Sequence, residues 1–175
     1  MGTILALHLA SAHPESVNVL VLFAPLLDFA SRTSVLFDSR WGQRIMRLFL
    51  GGPYIRIDPE NEGHARYWYE YYRIESLWTL KAMKNELLND EVYSRIYHPV
   101  FTGYYENDDV VSVSAITDME NRLGTPAEHR EFKAFPDADA HVITSEYRTD
   151  IYPQVHKAVT AFLEQYVSTS MESSN

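Results

Sequence analysis

Apolar side chains occupy almost every position of residues 2–12, including Ile4, Leu5, Leu7, Leu9 and Ala10. That density predicts a helix with almost no polar face, buried nearly all round. Pro14 stops it. Residues 17–24, Val-Asn-Val-Leu-Val-Leu-Phe-Ala, form a continuous apolar run, the pattern of a parallel strand covered on both faces. Residues 30–97 have a different texture. They hold Trp41, Trp68, Trp78 and the run Tyr67, Tyr69, Tyr71, Tyr72. Trp41, Ile45, Leu48 and Phe49 give helical spacing over 40–50, ended by Gly51-Gly52-Pro53. Tyr72, Trp78, Leu80, Met83, Leu87 and Leu88 predict one or two longer helices over 65–88. The block carries no strand signal and reads as a helical insertion between two strands.

The pattern changes again at residue 98. Val100, Phe101, Tyr104 and Tyr105 predict a short strand over 99–105, with Pro99 at its first residue, where a missing N–H is tolerated. Residues 110–123 predict a helix closed by Gly124 as its C′ residue, with Pro126 beyond. Residues 129–135 predict a strand. Val155, Val159, Phe162, Leu163 and Tyr166 predict a final amphipathic helix over 152–167, and the polar stretch 168–175 reads as a disordered tail. Strands alternating with helices imply a parallel sheet with right-handed crossovers.

Two polar turns come after strands in this scheme. One is Glu106-Asn107-Asp108-Asp109; the other is Asp137-Ala138-Asp139-Ala140-His141. Open α/β sheets place their chemistry at the carboxyl ends of their strands. A carboxylate and a histidine on two such loops are two parts of a nucleophilic triad.

Composition narrows the function classes. The apolar fraction of 46% and charged fraction of 22% suit a soluble globular domain of 175 residues. A net charge of −9 with no Lys/Arg cluster disfavours nucleic acid as a partner. The absence of cysteine removes disulfides, thiolate metal sites and a thiol nucleophile. His64, His129 and His156 have no partner at ligand spacing, so neither a metal site nor a cofactor is expected. No apolar run reaches the ~20 residues needed for a membrane span. The first residues lack the basic region of a secretory signal, and Ala6 stands where a myristoylation motif wants Ser or Thr. The chain therefore reads as cytoplasmic.

In this order the motifs resemble the C-terminal half of an α/β-hydrolase, most like the esterase, monoacylglycerol-lipase and serine-aminopeptidase branch. Met1-Gly2-Thr3-Ile4-Leu5-Ala6-Leu7 is similar to the stretch directly after the nucleophile serine of a Gly-x-Ser-x-Gly elbow. Gly2 would be the closing glycine, and the serine would lie upstream of Met1. Glu106-Asn107-Asp108-Asp109-Val110-Val111 resembles the acid loop, in a register that selects Asp108 over Asp109. Ala140-His141-Val142 resembles the loop of the catalytic histidine. The resemblance implies a partial α/β-hydrolase fold: a parallel sheet of three strands flanked by helices. Its core would be 1–29 and 98–167, and 30–97 would be a helical cap.

It also implies hydrolysis of a carboxylic ester with an apolar acyl or alkyl group. Asp108 and His141 would be the acid and base of a Ser-His-Asp triad, and the Met1 backbone N–H half of an oxyanion hole. The sequence itself contains no serine in a Gly-x-Ser-x-Gly context. Two alternatives stand beside this reading. One is an inactive fragment or pseudo-enzyme acting by association, with dimerisation through the open edge of strand 17–23. The other is an α/β-hydrolase of another class, such as a peptidase, dehalogenase or epoxide hydrolase. Asp108 as a solvated turn carboxylate and His141 as a loop histidine or helix cap are the plain alternatives for the two residues.

Overall fold

Strand β4 (Val100–Tyr105) is the middle of the molecule, and its first four residues are buried. A computed structural model describes residues 2–30, 40–49, 51–59, 61–147 and 150–172 of the chain. β4 pairs in parallel with β1 (Leu20–Phe23) on one side and with β5 (Arg130–Phe135) on the other. The sheet order is β1-β4-β5. The predicted parallel three-stranded sheet flanked by helices is thus observed.

Each strand feeds two cores because successive side chains point to opposite faces. Leu20, Leu22 and Val100 join one apolar cluster with Ile4, Leu7, Leu88, Ile96, Met119 and Leu123. Phe101 and Phe135 join a second with Ile143, Val155 and Phe162, against which Val21 and Phe23 pack. Helix α1 (Gly2–Ala12) and helix α6 (Val113–Arg122) thus cover one face, and helix α7 (Tyr152–Glu172) covers the other. A continuously apolar strand is what burial on both faces requires.

The boundaries differ from the sequence reading in instructive ways. Helix α1 is not buried all round. Ile4, Leu7 and Ala10 are, but Leu5 and Leu9 remain about half exposed, at 49% and 46%. Apolar composition sets what a helix face tolerates; packing partners decide which face is covered. Helix α6 starts at Val113, not residue 110, because Ser112 caps it, its Oγ accepting from Ala115 N. Gly124 does not adopt the left-handed C′ conformation. It is glycine for space: a Cβ there would overlap the Ser94 carbonyl oxygen, and its N–H donates to Tyr93 O. Helix α7 continues through Glu172, so residues 168–172 belong to the helix rather than to a disordered tail; residues 173–175 lie outside the described residues.

The intervening segment departs most from expectation. Beside helices α2 (Arg40–Phe49), α3 (Glu62–Tyr67), α4 (Glu75–Leu87) and α5 (Asp90–Ser94) it holds a two-stranded antiparallel ribbon. Strands β2 (Tyr54–Arg56) and β3 (Tyr71–Arg73) pair with Ile55 opposite Tyr72. A strand signal was present after all. Tyr54-Ile55-Arg56-Ile57 alternates directly after the Gly-Gly-Pro break, and aromatic residues favour strands. The tyrosine run belongs partly to this ribbon, not to one long helix.

Candidate functional site

The parallel register of β4 and β5 ends with Tyr105 opposite Phe135, so the loops after both strands leave from one rim. After β4 the chain turns through Glu106 and Asn107 to Asp108. Its Oδ1 accepts from the backbone N–H groups of Val110 (2.8 Å) and Val111 (2.9 Å). This is a carboxylate organising its own turn, and here it also buries the side chain, whose exposure is 0%. Val111 bridges to Phe29, Ala30 N donates to Val110 O, and Ser112 N donates to Asp28 O. The segment leaving β1 therefore clamps the acid loop from the side. Ile4 of α1 packs beside Leu27 and Phe29 of that segment, which ties the start of α1 to the stretch that clamps the loop.

After β5 the chain passes through Ala138 and Ala140, both buried, and Asp137 and Asp139, both exposed. Asp139 takes a left-handed backbone, φ 49°, one of the few non-glycine residues that tolerate it. That kink delivers His141 to the rim, with Ile143 anchored in the core just beyond. His141 Nδ1 lies 2.7 Å from Asp108 Oδ2. An ionised carboxylate only accepts, so Nδ1 carries the proton and donates. The neutral ring then keeps its lone pair on Nε2, the arrangement of a general base. Burial pushes the Asp108 carboxyl upward. The hydrogen bonds from His141, Val111 and Val110, with the electrostatic pull of His141, outweigh burial and hold the carboxyl below the ordinary carboxylate range.

A cavity of about 400 Å³ opens beside the pair, lined by Tyr105, Asn107, Asp109, Val110, Asp139 and His141. A second, of about 490 Å³, lies along the chain after His141, against Tyr67, Trp68, Val142, Tyr147 and Tyr152. Of the other residues singled out from sequence, Asp109 is exposed. Ser112 Oγ caps α6 and hydrogen-bonds Ser114 Oγ. His64 is buried edge-on to Trp68, and His129 Nδ1 sits 3.2 Å from the Tyr166 hydroxyl. Met1 lies outside the described residues. Sequence reasoning passed over Asn61, Gly63 and Tyr147. Asn61 was legible as a helix N-cap, but its second contact spans the fold and has no local signal.

No protein-family model matches the chain, and no curated protein matches it. Among solved structures it is similar to a monoacylglycerol lipase from Paleococcus ferrophilus (TM-score 0.67, 13% identity, covering 94% of this chain and 65% of that one). It is also similar to a soluble variant of monoglyceride lipase from Saccharomyces cerevisiae bound to a substrate analogue (TM-score 0.65, 16% identity, 94% and 59%). A thermostable carboxyl esterase from Bacillus coagulans bound to glycerol gives a TM-score of 0.64 at 15% identity, covering 94% and 62%. The chain spans less than two thirds of the length of each. Among the described residues no helix is long and apolar enough to cross a membrane.

Proposed function

From the premise that the chain carries the α/β-hydrolase fold, we propose that it is the acid–base half of a serine-type carboxylic ester hydrolase. The observation that carries this is the 2.7 Å contact of His141 Nδ1 with the buried Asp108 at the strand-end rim. In this reading Nε2 of His141 takes the proton of a serine hydroxyl as it attacks the ester carbonyl. His141 then returns the proton to the leaving alcohol, and the cycle repeats with water. Asp108 fixes the tautomer and stabilises the imidazolium without itself becoming protonated. The serine would lie upstream of Met1, whose backbone N–H would supply half of the oxyanion hole. Residues 1–29 and 98–167 form the catalytic core in this proposal and 30–97 its cap. The apolar acyl or alkyl group is suggested by Tyr67, Trp68, Tyr147 and Tyr152 around the larger cavity, and by neighbours described as monoacylglycerol lipases and a carboxyl esterase.

The 175-residue chain is expected to turn over p-nitrophenyl esters no faster than background. A longer polypeptide translated in frame from upstream codons ending Gly-x-Ser is expected to hydrolyse them. His141→Ala should abolish that activity. Asp108→Asn should lower it by ~10⁴, as in the serine-protease type case. Upstream codons without Gly-x-Ser, or hydrolysis that does not need His141, would end this reading. A nucleophile other than serine there would move the chain to the dehalogenase, epoxide hydrolase or peptidase class.

A second reading is favoured by one feature. Among the described residues, the outer edge of β1 has no strand partner, and Leu5 and Leu9 are exposed on α1. An open apolar edge invites pairing with another chain. In this reading the 175-residue chain acts through association and dimerises through β1; sedimentation as a clean monomer would refute it.

A further inference from the structure

The turn beyond His141 is gripped by helix α3, and the grip uses three separate residues. Asn61 caps α3, its Oδ1 accepting from His64 N at 2.8 Å. The same amide donates through Nδ2 to the Tyr147 carbonyl oxygen at 2.5 Å, across 86 residues of chain. Tyr67 stacks its ring on that of Tyr147, centroids 5.4 Å apart and planes 28° apart. Gly63 lies beneath the same ring, and a Cβ there would overlap Cδ1 and Cγ of Tyr147. Gly63 has no positive φ, so its backbone does not call for glycine; the seat for the ring does. One amide, one ring and one missing side chain on α3 thus converge on Tyr147.

The other end of the same loop is His141. Between them, Ile143 is buried and its N–H donates to His141 O, while Tyr147 N donates to Ser145 Oγ at 3.3 Å. The loop is a short, internally bonded piece with one end held on Asp108 and the other on α3. Val142, Thr144 and Ser145 wall the 490 Å³ cavity together with Tyr67 and Trp68, so whatever fills that space touches both α3 and the loop.

We infer that the seat formed by Asn61, Gly63 and Tyr67 for Tyr147 is a positioning device that holds the His141 imidazole in register with Asp108. Movement of α3 would thereby be transmitted to the base. The inference rests on the Asp108–His141 hydrogen bond, not on the identity of the substrate, and its test needs no turnover.

The Nδ1–H of His141 donated to a buried carboxylate gives a low-field proton resonance, assigned by its loss in His141→Gln. Tyr147→Ala and Gly63→Ala are expected to broaden this resonance or raise its exchange rate with water at least ~10-fold, because a loosened pair opens to solvent more often. Tyr147→Phe keeps the stack and the backbone carbonyl and loses only the hydroxyl contact with Tyr67, so its effect should be the smallest of the series. Tyr67→Leu removes the stack and the hydroxyl contact with Tyr147 at a residue that is 58% exposed, and keeps the test open if Gly63→Ala fails to fold. Its expected effect is an intermediate rise in exchange. Folded Tyr147→Ala and Tyr67→Leu proteins with an unaltered resonance and exchange rate would overturn the inference. So would absence of the resonance from the parent chain. Absence of ester hydrolysis from the longer polypeptide, with the resonance intact, would instead count against the functional reading alone.

Discussion

The rim at the ends of β4 and β5 and the segment between β1 and β4 are held together by different means. At the rim the carboxylate is buried and tied to backbone. Asp108 is held by two N–H groups and one imidazole, and the strands beneath it contribute Phe101 and Val100, both fully buried. In the intervening segment Leu80, Leu88, Tyr93 and Ile96 reach the core, but α2 and the β2–β3 ribbon are short and their ties are at the surface. Arg47 pairs with Glu75 and lies over the Trp78 ring, and Arg73 also reaches Glu75. Trp41, Leu48 and Phe49 of α2 are 73%, 82% and 83% exposed. Exposed ion pairs contribute ~0–1 kcal/mol each, whereas a filled core position contributes several times that. Stability therefore resides in the sheet and the helices packed on it, α4 and α5 included, while α2 and the β2–β3 ribbon are a softer attachment.

Substitution in the two regions should separate them most clearly. Phe101→Ala removes a ring packed against Phe23 and Phe162 and is expected to cost about 3–5 kcal/mol. Phe49→Ala should stay within about 0.5 kcal/mol. Urea denaturation midpoints compare them, and equal losses would erase the contrast. The next largest effect concerns the acid loop. Asp108→Ala leaves the N–H groups of Val110 and Val111 without their acceptor, which should cost about 1–3 kcal/mol by the same measurement. Asp108→Asn, which keeps an acceptor oxygen, should cost less.

Acid should reach the rim only in strongly acid solution. The Asp108 carboxyl is held below its ordinary range in the folded chain, so its contribution is complete above the unfolded carboxylate value of ~3.9. That contribution is lost as pH falls through the lower, folded value. Melting temperature against pH should therefore drop in strongly acid solution, and the drop should shrink in Asp108→Asn. A drop of the same size in both would place the acid sensitivity elsewhere. The smallest effect tests what the regions share. Ser112→Ala and Asn89→Ala each remove an N-cap, one on α6 and one on α5, and each should cost ~1 kcal/mol in thermal melts. A much larger loss at Ser112 would show that capping there also supports the acid loop.

What could be read in the sequence tracks the range of the forces involved. The first helix, the three parallel strands and the polar loops that follow two of them were legible because they rest on local periodicity and on short turn motifs. The ribbon β2–β3 was missed although Tyr54-Ile55-Arg56 alternates, because three residues give a weak pattern beside a dense aromatic run. Gly124 was singled out but for the wrong reason and Gly63 was passed over, since Ser94 and Tyr147 approach them from distant parts of the chain.

The order of residues was enough to set the succession of elements, the double-sided burial of the strands and two loops carrying a carboxylate and a histidine; each arises from side-chain chemistry within a few residues. Folding in three dimensions was needed to bring Oδ2 of Asp108 and Nδ1 of His141 to 2.7 Å, to leave Leu5 and Leu9 of α1 exposed, and to seat Tyr147 on α3. Those outcomes depend on strand register and on which surfaces meet, and neither is encoded in any local stretch.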